Sequence, residues 1–212
     1  MVEKSITPSH FEELLDYRRT VAENYAYVRH SSASPAQTLA EFRRRRDHLF
    51  AAHPESALSG QQKETFKGLS YFPYNLALRF VLPIDLAIEQ QTIEIDLPDD
   101  GLMRLQRFGR IHFEVDSQPV SLSVFWVMGY GGGIFLPFRD QTYQTDTYGG
   151  GRYLLDTIKH ADLGSDNSGL VIDFNYAYNP SCAYNPRWVC PLSPTENRLP
   201  VSIRAGELNF TE

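Results

Sequence analysis

Residues 91–127 read QTIEIDLPDDGLMRLQRFGRIHFEVDSQPVSLSVFWV, and the alternation within them decides the fold class. Ile93, Ile95 and Leu97 alternate with Thr92, Glu94 and Asp96, and Ile111, Phe113 and Val115 alternate with His112, Glu114 and Asp116. A period of two sends successive side chains to opposite faces of a pleated strand, so each run reads as a strand with one wet face. Asp99-Asp100-Gly101 and Asp116-Ser117-Gln118-Pro119 separate the runs with turn-forming residues, which predicts that consecutive strands pair antiparallel as a meander. Val120, Leu122 and Val124 continue it.

Outward from this stretch, the alternating pattern starts near Leu76, and the spacing predicts further strands at 134–136, 152–157, 170–174 and 199–204. Seven or more short strands without intervening helices imply a mainly β fold, closing into a sandwich or a barrel. Before the strands, two helices carry start signals. Ser9 with Glu12 reads as a capping box ahead of Phe11, Leu14, Leu15, Val21, Tyr25 and Val28 at helical spacing. Ser34, Pro35 and Gln37 satisfy the N-cap, first-position and third-position preferences of a second helix, whose buried stripe is Leu39, Phe42, Leu49 and Phe50 and which His53-Pro54 ends. A third helical turn is predicted at 61–67, with Gly68 at its close. The expected organisation is a helical lead over residues 1–70 packed on a β-rich part over 71–212, all one structural domain.

Five prolines between Tyr178 and Pro200 remove backbone donors too often for a regular ladder, so 178–200 is predicted to be a long irregular loop. Tyr178, Tyr184, Trp188 and two cysteines give it apolar surface to be pinned by, unlike a flexible linker.

The formal charge of −6 offers no general attraction to phosphate backbones, so no nucleic-acid partner is expected. In the basic run 43–46, consecutive side chains fan about 100° apart on a helix, so only Arg43 and Arg46 share a face; the run reads as a solvated helix surface. No run approaches the roughly 18 apolar residues of a membrane span, and Met-Val-Glu-Lys-Ser-Ile lacks the apolar segment of a secretory signal. The expectation is a cytoplasmic protein with no membrane partner, in which Cys182 and Cys190 are thiols by default, with a short disulfide loop also open at this spacing.

Neither a Gly-x-Ser-x-Gly elbow nor a cysteine followed by a downstream histidine is present, and no metal-ligand spacing is found, so no metal or other cofactor is expected. The glycine clusters at 129–133 and 149–151 lack the lysine and the strand-to-helix context of a phosphate loop; the second reads as a bulge or a close backbone approach. Polar groups that interrupt apolar segments are more informative. Arg139 and Arg152 beside Asp140 and Asp173 either pair with each other as structural ion pairs or frame a pocket. In the pocket reading, Arg107, Arg139 and Arg152 offer planar forks to an anionic small molecule, with Asn175 beside them and Tyr148, Tyr178 and Trp188 as walls. Asp140, Asp173 or Glu196 is then a candidate general acid or base.

Arg107-Phe-Gly109, Phe138-Arg-Asp140, Tyr148-Gly-Gly-Gly-Arg-Tyr153, Asp173-Phe-Asn175, Tyr178-Asn-Pro180, Cys182-Ala-Tyr184, Cys190-Pro191, Glu196-Asn197 and Ala205-Gly-Glu207, in this order, form a pattern. It resembles the uncharacterised prokaryotic family called domain of unknown function 1684, and the similarity extends to Phe66-Lys-Gly-Leu69 and Tyr71-Phe-Pro73. Ala57 and Gln144 depart from the family's usual residues. The resemblance implies no activity, substrate or catalytic residue. The leading expectation is therefore a small-molecule, anionic-ligand-binding β domain. A hydrolase using Asp or Glu acid-base chemistry, or a structural or interaction domain, are the alternatives, with homo-oligomer formation left open.

Overall fold

The computed structural model describes residues 8–98 and 101–211. The opening six residues and Asp99-Asp100 of the first turn lie outside the described residues. The chain runs α1 (Pro8–His30), α2 (Pro35–Ala52), α3 (Gly60–Thr65), β1 (Arg79–Leu82), β2 (Gln91–Leu97), β3 (Gly101–Val115), β4 (Gln118–Val127), β5 (Gly133–Phe138), β6 (Arg152–Asp156), β7 (Ser165–Asp166) and β8 (Gly169–Asp173). No helix among the described residues is long and apolar enough to cross a membrane.

The meander is present as read. Strands β2 to β6 pair in chain order into a five-stranded antiparallel sheet, and β1, β8 and β7 form a second, three-stranded antiparallel sheet. Val115 pairs with Gln118, so the β3–β4 turn is the two residues Asp116 and Ser117, both at positive φ of 51° and 64°. Two such residues in succession match the right-handed twist of the strands they join, which is why this short polar pair closes the hairpin. The two sheets enclose one core, in which Ile111, Leu122, Val124, Leu136 and Leu154 meet Leu78, Ile172 and Phe174. Among the described residues neither sheet closes on itself into a barrel; the two sheets share a core in a sandwich-like arrangement.

Both caps of α2 lie where the sequence places them: Ser34 accepts from Gln37 N in a full capping box, and His53 ends the helix. The third helix is capped likewise by Ser59 with Gln62. Ser9 lies within the first helix, which is described from Pro8. Tyr25, Leu39 and Phe42 of α1 and α2 pack on Ala161, Leu163 and Tyr176, which fastens the helices to the back of the three-stranded sheet.

The reading of 43–46 as a solvated surface is overturned for half of the run. Arg44 and Arg45 pair with Glu41 on the outside, and the two guanidinium groups hold the Glu41 carboxyl down to about 2. Arg43 and Arg46 turn inward: Arg43 Nη1 donates to Phe72 O at 3.1 Å and Arg46 Nη2 to Glu207 Oε2 at 3.0 Å.

The strand predicted at 199–204 does not form. Leu199, Val201 and Ile203 alternate inward as read, and each buried side chain contributes about 1.5–3 kcal/mol, but Pro200 lacks a donor and no strand lies alongside for a full ladder. Its backbone is satisfied by other means: Leu199 N donates to Arg139 O, Gln141 N to Val201 O, and Ile203 N to the Asp140 carboxylate. The sequence period is therefore right, and the partner is the irregular backbone at Arg139 and Gln141 together with the Asp140 and Arg152 side chains.

Gly151 resolves the second glycine cluster as a close approach. Its φ is +93°, and a Cβ there would stand 2.6 Å from Phe138 O, at the entry of β6 beside β5. Gly151→Ala is expected to cost about 1–3 kcal/mol from the backbone conformation alone, read as a drop in urea midpoint with an unchanged slope. Gly149→Ala, with open space around it, is the control and is expected to cost less than half as much.

Candidate functional site

The structure distributes the sequence-predicted site residues over several places. Arg152, 1% exposed, lies in the core. Its Nη1 donates to Ala205 O and Glu207 O, and its Nη2 donates to Ile203 O at 3.0 Å and Asp140 Oδ1 at 3.1 Å. Asp140 completes the arrangement, its Oδ2 accepting from Thr142 N, Thr142 Oγ1 and Ile203 N. Burial pulls the Arg152 pKa down, and the Asp140 carboxylate opposes that pull. The pair does the work of a missing strand, holding the terminal segment against β6.

At the far end of the five-stranded sheet, Arg107 Nη1 donates to Glu196 Oε2 at 2.9 Å, and Ser123 Oγ donates to the same oxygen at 2.6 Å. The remaining Arg107 donors reach Glu89 O. Arg139 lies over the Tyr143 ring at 4.3 Å and reaches Gly149 O. Tyr178 packs edge-on against Tyr153, and Trp188 donates its ring N–H to Ala57 O at 3.1 Å while packing with Phe50, Leu58 and Tyr184. Trp188 thereby pins the proline-rich loop to the helical lead. Tyr148 Oη lies 3.5 Å from Cys182 Sγ.

Asp173 and Asn175 occupy a different setting. Asp173, 3% exposed, ends β8 and caps the 3-10 turn that follows, with Oδ1 accepting from Asn175 N at 2.9 Å and Asn175 Nδ2 at 2.8 Å. Its Oδ2 faces Arg79 Nε across the β1–β8 pair at 3.7 Å. Asn175 in turn exchanges two hydrogen bonds with the backbone of Asn75, both 2.8 Å, which holds the turn and so the carboxylate in place. Burial raises the Asp173 carboxyl above its ordinary value, with the Asn175 hydrogen bonds and the Arg79 charge opposing it.

Asp173 lines a cleft of about 350 Å³ between the end of α1, the start of α2 and the outer face of the three-stranded sheet. Arg29, Arg79, Ser31, Thr38 and Tyr176 share its lining with Asp173. The start of α2 adds the positive end of an 18-residue helix. Two guanidinium groups, three hydroxyl-bearing side chains and one buried carboxylate in a concavity of ligand size form a set able to hold a small polar molecule. A second concavity of about 500 Å³, lined by Glu12, Glu13, Asp16, His48 and His53, lies between α1 and α2 on the acidic side. Among the described residues, no group of three or more His, Cys, Asp or Glu is placed to hold a metal ion.

Reasoning from sequence does not reach Arg29, Ser31, Thr38 and Arg79, since single polar residues far apart in the chain carry no spacing signal. It also passes over the Arg46–Glu207 pair as a site. Glu207, 1% exposed, accepts from Arg46 Nη2, Asn179 N, Asn179 Nδ2 and Tyr184 Oη. Around it Tyr25 Oη, Tyr71 Oη, Arg46 Nε and Asn179 Oδ1 are buried with no hydrogen-bond partner among the described residues. The available signal was a lone acid at the end of an apolar alternation.

Comparison with known proteins places this geometry in context. A solved structure, the solution NMR structure of an uncharacterized protein of Haloarcula marismortui, is similar with 29% sequence identity and a TM-score of 0.58, covering 81% of this chain and 92% of that one. No curated protein matches the chain. A family model described as "Protein of unknown function (DUF1684)" matches residues 64–208, and the chain belongs to that family.

Proposed function

We propose that the protein binds a small polar, anionic ligand in the cleft that Asp173 lines. The observation that carries this reading is the convergence of Arg29 and Arg79 on a 350 Å³ concavity whose floor is a buried carboxylate held by Asn175. Guanidinium forks recognise carboxylate or phosphate oxygens, and Tyr176 and the Ser31–Thr38 hydroxyl pair, bonded to each other at 2.8 Å and with one proton to spare, supply further donors. The reading keeps the ligand class expected from sequence and moves its seat from Arg139 and Arg152 to the helix–sheet junction. The thiols Cys182 and Cys190 fit a reducing compartment such as the cytoplasm.

Inorganic phosphate and citrate serve as probes in an NMR titration of amide resonances. Saturable shifts confined to Ser31, Thr38, Ser165 and Asp173 support the reading, and Arg79→Met is expected to weaken them about tenfold, equivalent to about 1.4 kcal/mol. Absence of saturable shifts there at millimolar concentrations of both probes overturns it.

A second reading, acid-base catalysis, is favoured by one observation, the raised pKa of Asp173 within a cleft. The stability consequence has a definite sign. Because the folded value lies above the ordinary 3.8, the fold favours the protonated acid; its contribution is present below 3.8 and is lost as pH rises through the raised value. Asp173→Asn keeps the acceptor for Asn175 and removes the buried charge. Its stability at pH 7 is therefore expected to stay within about 1 kcal/mol of the parent, and the parent's relative gain toward acid pH is expected to be absent. Calorimetric scans from pH 3.5 to 7 check both. A large loss at neutral pH would mean that the carboxylate is structural.

A further inference from the structure

The proline-rich loop brings together the chain's two cysteines, which the cleft does not use. Cys182 lies on the 3-10 turn Ser181–Ala183, and Cys190 returns beside it after eight residues. The Cys182 backbone N–H donates to Cys190 Sγ at 3.3 Å, and Tyr148 Oη lies 3.5 Å from Cys182 Sγ. Both sulfurs are free and half-buried rather than sealed in the core.

We infer that Cys182 and Cys190 form a reactive dithiol that reduces small disulfides, with Cys182 as the attacking sulfur and Cys190 as the resolving one. The assignment of roles follows from the donors. Tyr148 Oη lies against Cys182 Sγ, and a phenol O–H donated to that sulfur favours its anionic form. The neighbouring Cys190 and Tyr148 side chains, opposed by burial, bring the Cys182 thiol down to about 6, whereas the Cys182 side chain and burial push Cys190 up. The titratable groups facing the pair are Tyr148, Tyr153 and Lys159. Lys159 adds a positive charge, and Tyr153 is anchored to the same loop through its hydroxyl on Pro191 O.

The chemistry balances with one co-reactant, a low-molecular-weight disulfide. The Cys182 thiolate attacks one of its sulfurs, forming a mixed disulfide and breaking the original S–S bond, and one thiolate departs. Cys190 passes its proton to the first departing thiolate and attacks the Cys182 sulfur, forming the Cys182–Cys190 bond and expelling the second thiolate, which takes from solvent the proton that Cys182 released on ionising. The chain loses two electrons and the small disulfide gains them. The product loop is short and contains Trp188, so oxidation fastens the proline-rich segment further.

Oxidised glutathione is the probe, applied to the full chain at pH 7 and followed by intact-mass spectrometry. The parent is expected to lose two hydrogens without a lasting adduct. Cys190→Ser is expected to accumulate one glutathione adduct on Cys182, and Cys182→Ser to acquire an adduct on Cys190 at least tenfold more slowly. Near-ultraviolet circular dichroism confirms that each variant keeps its packing. Tyr148→Phe is expected to move the pH midpoint of Cys182 alkylation by iodoacetamide upward, which a purely structural contact would not do. A parent that keeps both thiols, a parent that accumulates adducts, or equal reactivity of the two single variants overturns the inference. Because the pair lies outside the cleft, these outcomes are independent of phosphate or citrate binding.

Discussion

Asp140→Ala is expected to lower stability by about 3–5 kcal/mol, seen as a fall in melting temperature of roughly 10 °C. The size follows from what is left behind. Arg152, 1% exposed, would keep a buried positive charge with carbonyls but no carboxylate, and Ile203 N would lose its acceptor. Arg152→Met should be of similar magnitude for the reciprocal reason: the Asp140 carboxylate stays buried, and the carbonyls of Ile203, Ala205 and Glu207 lose their shared donor. The double variant discriminates. If the two side chains act as one unit, the paired substitution costs about 1–3 kcal/mol less than the sum of the singles, measured by urea unfolding. Additive losses below about 1 kcal/mol each would show that the terminal segment is held by Leu199, Val201 and Ile203 alone.

The same pair shows why the fold was more legible than the site. Period-two alternation in 91–127 survives any tertiary detail, because a one-residue slip would turn Ile111, Phe113 and Val115 out to water. Caps such as Ser34 with Gln37 are equally local, since the partners lie three residues apart. Long-range polar bonding leaves no such trace. The alternation of 199–204 carries the burial of its side chains but not the identity of what satisfies its backbone, and Pro200 was the one residue arguing against a ladder. Arg43 and Arg46 were read to share a helix face, yet whether that face meets water or Glu207 depends on residues some 160 positions away. For the candidate site, Asp173 and Asn175 were visible as polar interruptions of an apolar strand. Their cationic companions Arg29 and Arg79 come from a helix end and a strand edge where an arginine is unremarkable.

Glu207→Ala is expected to cost about 3–5 kcal/mol as well, but with a different local signature. Four donors converge on this carboxylate, from Arg46 of α2, Asn179 and Tyr184, so its removal leaves a buried cation with no counter-charge and only the Tyr184 hydroxyl to bond. Arg46 is the polar link of α2 to the chain's terminal segment, while Leu39, Phe42, Leu49 and Phe50 supply its apolar contacts. Losing the link while keeping the apolar face should loosen α2 before the sheets. Amide hydrogen exchange in Glu207→Ala is expected to accelerate first in α2 and only later in β3 and β4. Glu207→Gln should fall between the parent and the alanine variant, since its amide oxygen replaces one carboxylate oxygen while the other position and the charge are lost. Exchange that accelerates uniformly through helices and sheets would place Glu207 in the shared core, and a loss below about 1 kcal/mol would mean that the apolar face holds α2 unaided. Because Thr38 on α2 lines the proposed ligand cleft, selective loosening of that helix should also weaken phosphate or citrate binding while Asp173 itself stays in place.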